Sequence, residues 1–504
     1  MTLSMTDIEL FRIVILAVAM LLLPVASERI RRATTTPAEY MRNVVHACAG
    51  FTILLFPLLF SRASAVAIFA LLLVISNFFA FVRNHAVSKQ DEGRSRYYTV
   101  YYPLSLVFLA VIFWEPYYDL VVACILIASV ADAVHFTIGI ARSASSQFRV
   151  TNAAMSVERS LALFIIGTPA LMFSLLLYGD GGLRFGTALV EAPFGTTLAC
   201  AAIVLFATAW EAISQRGLDK LSIPLMTAFA LHVCFIDDSA IRFITGAALG
   251  LGVAIAAYRF RLLAVSGAVA AFLLAVVVYG IGEWMWSFPI LAFFILSSFL
   301  SHWRKSQKQA FNGLFEKSGI RDAGQVAANG AVAGILAFAW YFVAIDEIYL
   351  LYLVALATVT ADTWGTEIGI LSRGTVRNIL TFKTTTPGTS GGISIAGTAG
   401  GAAGALVIAL TSFPFDATHN VLSIAFVTLA GIVGSTVDSI LGATLQAQYH
   451  CTKCGTTTER RTHCNTSATL LRGHVRITND IVNFASTCIS VSLTTGMLLL
   501  VRGL

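Results

Sequence analysis

The chain has 504 residues, of which 57% are hydrophobic and only 12% charged, and it carries a net charge of +6. So little polar surface cannot cover a globule in water, which excludes a soluble enzyme and points to an all-α, polytopic integral membrane protein held in a lipid bilayer. The basic surplus is what retained loops on one side of a membrane produce, so no nucleic-acid partner is needed to explain it.

Apolar runs near the roughly 20 residues that cross the hydrocarbon core predict about 14–16 transmembrane helices. They fall at 8–25, 44–60, 64–82, 97–114, 117–141, 157–178, 194–214, 221–234, 239–257, 262–280, 285–301, 326–345, 347–371, 391–412, 419–446 and 480–500. The first run lacks a basic leader and a small-residue cleavage site and is expected to stay as a span. Basic residues collect in alternate loops, from Arg29 to Arg42, Arg83 to Arg96, Arg142 to Arg159, Arg216 to Lys220, Arg259 to Arg261, Arg304 to Arg321, Arg373 to Lys383 and Lys453 to Arg476. The intervening loops hold acids such as Glu115, Asp180, Asp237, Glu283, Asp346 and Asp416. This places the basic loops in the cytoplasm and both termini outside. YRFRLL at 258–263 reads as a short basic seam between two fused bundles, 1–257 and 258–504.

In the first half, RNVVHACAG sets Arg42 and His46 four apart on one helix face at a membrane boundary, which suits a phosphate or an interfacial anchor. VADAVHFTIGIARS carries the lone carboxylate Asp132 in an apolar run. A charge there costs about 2.5 kcal/mol or more unless it meets a metal, a substrate or an ion-pair partner. SVERS puts Glu158 between Ser156 and Ser160 at a helix start, where capping alone is an alternative. Glu211 closes a later span, and Asp219 and Pro224 follow it.

In this order the pieces resemble the dolichol kinase and phytol kinase family, membrane enzymes that phosphorylate long isoprenoid alcohols, typically from CTP. The resemblance covers roughly residues 40–230. It implies catalytic roles for Asp132, Glu158 and Glu211, with phosphate or substrate held by Arg42, His46, Ser156, Ser160 and Asp219. Asn43, Met155, Arg159 and Lys220 stand where that family has lysine, lysine, glycine and asparagine. The half is therefore read as a prenol kinase or as a degenerate domain kept for substrate binding.

The second half opens with EKSGIRDAGQVAANG at 316–330, where Gln325 and Asn329 lie four apart and could face a cavity or serve packing. In ADTWGTEIGILSRGTVRNILTFKTTTPGTSGGISIAGT, at 361–398, Asp362 and Glu367 enter an apolar helix and should face a polar cavity, a metal or each other. Gly388, Gly391, Gly392 and Gly397 let the backbone approach a ligand, while Thr389, Ser390 and Ser394 add hydroxyls and Lys383 a charge. GIVGSTVDSILGATLQAQ then aligns Ser435, Asp438, Ser439 and Gly442 on one face, making Asp438 the natural partner of Asp362. Converging carboxylates hold Mg²⁺ and bridge substrate phosphates; the alternative, an ion pair for each, meets helices almost without Lys or Arg. HCTKCGTTTERRTHCN offers Cys451, Cys454, His463 and Cys464 as a structural Zn²⁺ set, with His450 as a possible substitute. TNDIVNF sets Asn479 and Asn483 four apart at the start of the last span.

From 258 onward the sequence resembles the membrane family that contains plant phytyl-phosphate kinase and uncharacterised bacterial and archaeal relatives. EKSGIRDAGQVAANG, ADTWGTEIG, TPGTSGGISIAGT, GSTVDSILGATLQ, CTKC with HC, and NDIVN carry that resemblance. It implies transfer of a phosphate onto an isoprenyl monophosphate, and the acidic pattern then assigns Asp362, Glu367 and Asp438 to Mg²⁺. Lys383 and the segment Gly388 to Gly392 would hold phosphate, and Asn479 and Asn483 would orient substrate. No Walker A motif is present, so CTP or another nucleoside triphosphate must be held by groups at the membrane edge. The fused chain is thus expected to turn an isoprenoid alcohol into its diphosphate. An anionic-lipid carrier or flippase and a cytidylyltransferase-like enzyme are the rival readings.

Overall fold

A computed structural model describes the chain except residues 1–4, 35–37, 86–97, 142–146, 150–153, 179–181, 215–216, 309–318, 373, 416–420 and 503–504. The chain divides into two compact units, Met1–Ala248 and Leu249–Leu504. The boundary lies ahead of the basic YRFRLL stretch and inside a helix.

The first unit contains α1 (Met5–Thr34), α2 (Ala38–Phe51), α3 (Phe56–Leu59), α4 (Ala63–His85), α5 (Tyr98–Ala141), α6 (Val157–Leu177), α7 (Phe185–Glu191), α8 (Pro193–Ile213), α9 (Asp219–Leu231) and the start of α10 (Ala240–Arg259). The second contains α11 (Val265–His302), α12 (Lys305–Lys308), α13 (Ala323–Val343), α14 (Glu347–Leu371), α15 (Ile395–Leu410), α16 (Val421–Thr444) and α17 (Asn479–Arg502). Among the described residues, 12 helices are long and apolar enough to cross a membrane, and Ala47–Leu59 and Ile395–Leu410 are shorter apolar helices. These account for every apolar run in the sequence once two long helices are seen to fold back on themselves.

A straight helix of the 44 residues of α5 would be about 66 Å long, roughly twice the hydrocarbon thickness. Glu115 and Tyr117 leave helical dihedrals and break it. As a result the Tyr102 hydroxyl lies 2.7 Å from Ser129 Oγ, 27 residues downstream. In α11 the break is at Glu283, whose φ of 52° is left-handed. Leu274, before that break, touches Gly330 and Gly334 of α13. After it, Met285 O accepts from the Tyr349 hydroxyl at 3.0 Å and Ser297 Oγ accepts from Trp364 Nε1 at 3.1 Å. The two halves of α11 therefore run alongside α13 and α14, which are themselves joined by a tight turn.

Each unit is built around one enclosed helix segment. In the second unit α14 is surrounded by α11, α13, α15, α16 and α17, and its side chains from Leu351 to Ala361 are buried. In the first, the half of α5 from Leu120 to Asp132 is buried against α2, α4, α6 and α9. Both buried stretches end at an aspartate. The contact of α14 with α15 is close because both helices present glycine: a Cβ on Gly397 would sit 2.8 Å from Gly365 O.

Among the described residues, strands occur only as short ladders in the connections. β1 (Gln147–Arg149) pairs with β2 (Ala154–Ser156), and β3 (Arg377–Asn378) with β4 (Gly392–Ile393), both antiparallel. Between α16 and α17, β5 (Gln448–His450) is flanked by β6 (Thr457–Thr458) and β9 (Thr469–Arg472), and β7 (Thr462–His463) pairs with β8 (Thr466–Ser467).

Candidate functional site

A cavity of about 150 Å³ opens in the second unit where α14, α15 and α16 converge on the glycine-rich segment. α14 contributes Asp362, Gly365, Thr366 and Gly369, at spacings that share one helix face. α16 contributes Ser435, Asp438 and Ser439 by the same rule. The carboxyls of Asp362 and Asp438 are within hydrogen-bonding reach of each other. Asp438 also accepts from Ser486 Oγ at 2.9 Å. With its amide turned over, Asn483 places its nitrogen 3.2 Å from Asp438 Oδ2, an orientation that the hydrogen-bond network favours. No Lys, Arg or His lines this cavity among the described residues.

Gly388, Thr389, Ser390, Gly391, Gly392 and Ser394 form the opposite wall. Gly391 has φ +79°, and a Cβ there would collide with Ala443 of α16. Ser394 caps α15, accepting from Gly397 N at 3.1 Å, so the positive end of that helix faces the cavity. Asn479, at the start of α17, lines the cavity as well.

Two expected members stand elsewhere. Glu367 is five positions after Asp362, about 140° around the helix, and faces α11. There it accepts from Ser301 Oγ at 2.5 Å and lies in the field of Arg321. Lys383 is exposed in the loop between β3 and β4 and does not line the cavity. Gln325 closes a capping box with Asp322 at the start of α13, while Asn329 reaches Asn483 at 3.2 Å.

Three residues not anticipated from sequence belong to the site. Glu459, from the cysteine-bearing loop, lines the cavity. Gln446 bridges the walls, accepting from Ser390 Oγ at 2.6 Å and donating to Glu459 Oε1 at 2.8 Å. Arg472 donates to Ser390 O and to Ala443 O, both at 2.8 Å, and to Gln448 Oε1 at 2.9 Å, tying the glycine segment to the end of α16 and to β5. Glu459 sits in a hydrophilic run beside Arg460 and Arg461, where nothing in the linear pattern distinguishes it from a solvated charge.

In the first unit the predicted acids also converge, but on basic partners. Lys220 bonds Asp132 and lies 2.8 Å from Asp219, and Arg159 lies 3.5 Å from Glu211. Oδ2 of Asp132, Oε2 of Glu211 and the Ser160 hydroxyl are buried with no hydrogen bond among the described residues. Glu158 opens α6 within its first turn. The side chains of Arg42, His46 and Ser156 lie outside the described residues. A larger cavity in this unit, about 370 Å³ between α1, α2, α4 and α5, is mostly apolar, and its one acid, Glu28, is paired with Arg31 and Arg32.

Cys451, Cys454, His463 and Cys464 form one cluster, with a donor atom from each lying within 4.8 Å of the others. His450 is not part of it. Gly455, at φ +71°, turns the chain so that its N–H reaches Cys451 O at 2.9 Å. The backbone N–H of Cys454 and the His463 ring favour the Cys451 thiolate and hold that thiol down to about 6. His463 is raised in turn, chiefly by Cys451. Adjacent His463 and Cys464 both reach the cluster because Cys464 and Asn465 are left-handed, at φ 51° and 57°, in the two-residue turn between β7 and β8.

Residues 248–491 match the family described as integral membrane protein DUF92. Protein PGR of Arabidopsis thaliana is 30% identical over 223 residues, 40% of this chain and 77% of that protein. The chain belongs to the DUF92 integral membrane family. Two further relatives are the uncharacterized membrane proteins MJ0933 of Methanocaldococcus jannaschii and sll0875 of Synechocystis. The first is 32% identical over 160 residues, 31% of this chain and 62% of that protein; the second is 27% identical over 182 residues, 36% and 70%. The DUF92 match takes in the acid-lined cavity and the cysteine cluster and leaves almost all of the first unit outside. No solved structure matches the chain.

Proposed function

We propose that the second unit is a Mg²⁺-dependent phosphotransferase that adds a phosphate to an isoprenyl monophosphate, giving the diphosphate. The observation that carries this reading is the Asp362 and Asp438 pair in a cavity that no Lys, Arg or His lines among the described residues. Two carboxyls in contact either share a proton or take a cation between them. Carboxylate and hydroxyl oxygens are the donors that Mg²⁺ prefers; Asp362 and Asp438 would hold it, with Glu459 on the cavity wall adding negative charge. When bound, the ion supplies charge neutralisation across the phosphate oxygens.

The chain's own groups do the positioning. The positive end of α15 faces the phosphoryl oxygens, the glycine segment lets them approach the backbone, and the Asn479 amide and the Ser435 and Ser439 hydroxyls orient them. Arg472 and Gln446 keep the glycine wall at a fixed distance from the acids. Ile395, beside the cavity, is 92% exposed, as suits a side chain that meets an apolar tail or lipid. The substrate class rests on the motif resemblance, and a nucleoside triphosphate such as CTP is the phosphoryl donor. The alcohol step proposed for the first unit has less support, because its acids already have cationic partners.

The test is purified full-length protein with Mg²⁺, CTP or ATP, and phytyl monophosphate or the free alcohol. Diphosphate from the monophosphate is the expected product, absent in Asp438→Asn. Lipid movement without nucleotide would replace the reading by a carrier, and pyrophosphate release by a cytidylyltransferase.

A further inference from the structure

The cysteine cluster and the cavity share a loop. Cys451 and Cys454 precede Glu459, and His463 and Cys464 follow it, so an ion held by all four would close the loop that carries the cavity's third acid. The donor spacing suits such an ion. Bonds of about 2.3 Å to sulfur and 2.0–2.1 Å to nitrogen in a tetrahedron separate S and N by about 3.6 Å. Cys454 Sγ and Cys464 Sγ lie 3.5 and 3.3 Å from His463 Nδ1. Three thiols and one imidazole are a soft, closed donor set that leaves no position for a substrate, which marks zinc in a structural role.

Apart from the cluster, short ladders and single hydrogen bonds such as Arg461 Nη2 to Val475 O at 2.7 Å and Ala468 N to Arg461 O at 2.9 Å hold this loop. β6 pairs with β5 over two residues and β7 with β8 over two, ladders too short to be stable by themselves. Glu459 lies between them, held by Gln446 Nε2 at 2.8 Å. The same connection between α16 and α17 carries Arg472 at the end of β9, whose guanidinium grips the glycine wall through Ser390 O.

We propose that Cys451, Cys454, His463 and Cys464 bind one zinc ion, and that this ion sets Glu459 and Arg472 against the acid-lined cavity. The site is thus a structural clamp on the cation-binding cavity rather than a second reaction centre. Its first claim, zinc binding, is independent of the proposed function; its second, the coupling, rests on the reading of the cavity as a cation site.

The test uses the full-length protein purified without chelator. Elemental analysis is expected to give one zinc per chain, falling to a small fraction in Cys464→Ser. Cobalt exchanged into the parent is expected to show a thiolate-to-cobalt charge-transfer band, a readout that does not depend on a variant folding. Mn²⁺ binding to the cavity, followed by electron paramagnetic resonance, should weaken about tenfold or more when zinc is removed and recover when it is returned. Glu459→Gln should keep the zinc yet weaken Mn²⁺ binding. Protein that carries no zinc and takes up neither zinc nor cobalt overturns the site. Stripped protein that binds Mn²⁺ as the parent does overturns the coupling. A loss of Mn²⁺ binding with no phosphotransfer in any form leaves the clamp standing and removes only the function proposed above.

Discussion

Both units end a buried helix segment at an aspartate, Asp132 in α5 and Asp362 in α14, yet they compensate the charge in opposite ways. Asp132 meets Lys220, and the nearby Glu211 meets Arg159. Asp362 meets another acid, Asp438, in a cavity open to solute and lined by hydroxyls and glycine. A buried carboxylate in a membrane helix therefore does not identify a site by itself. What faces it decides between a structural ion pair and a place that needs a cation from outside.

The comparison breaks first at the second unit's acids. Asp438→Asn and Asp362→Asn should each lower diphosphate formation about a hundredfold or more, with the folded protein retained, because each substitution removes charge where like charges crowd. Turnover at the parental rate with a normal melting profile would end the argument from the acid pair.

The first unit should answer in the opposite sense. Asp132→Asn removes one of the two carboxylates that hold the buried Lys220 ammonium, leaving Asp219, and should cost about 1.5–3 kcal/mol of stability. Diphosphate formation per folded molecule, from supplied monophosphate, should stay near the parental value. A variant that melts like the parent but no longer phosphorylates free alcohol would instead give the first unit a catalytic acid.

Smaller effects test how the second cavity is held. Arg472→Gln removes charged hydrogen bonds to Ser390 O and Ala443 O and should cost about 2 kcal/mol, read as a lower melting temperature and a raised Mg²⁺ requirement. Smallest of all, Lys383→Ala should change turnover by less than about twofold, since exposed charges away from a site contribute little. A large loss in that variant would bring the β3 and β4 loop back into phosphate binding.

Much of this architecture was legible in the sequence because hydropathy and small-residue spacing act locally. The separate runs at 97–114 and 117–141, and at 262–280 and 285–301, mark the two breaks that fold α5 and α11 back on themselves. The i, i+3, i+4 pattern of Ser435, Asp438 and Ser439 correctly names the face of α16 that meets the cavity. Glu367 shows the limit of proximity along the chain, since five residues turn it away from Asp362. Glu459, Gln446 and Arg472 were hidden for another reason: their roles come from a loop that crosses to another segment's glycines, and no periodicity records that contact. The pairing of Lys220 with Asp132 spans 88 positions, and no local pattern records it either.

The central claim is that the second unit's acid pair, and not the first unit's, takes the divalent cation. Mn²⁺ titration of the full-length protein, followed by electron paramagnetic resonance in the parent, Asp362→Asn and Asp132→Asn, tests it most directly. The structure predicts a tight Mn²⁺ site that is lost in Asp362→Asn and kept in folded Asp132→Asn. Retention of that site in Asp362→Asn, or its loss in Asp132→Asn alone, would contradict the account.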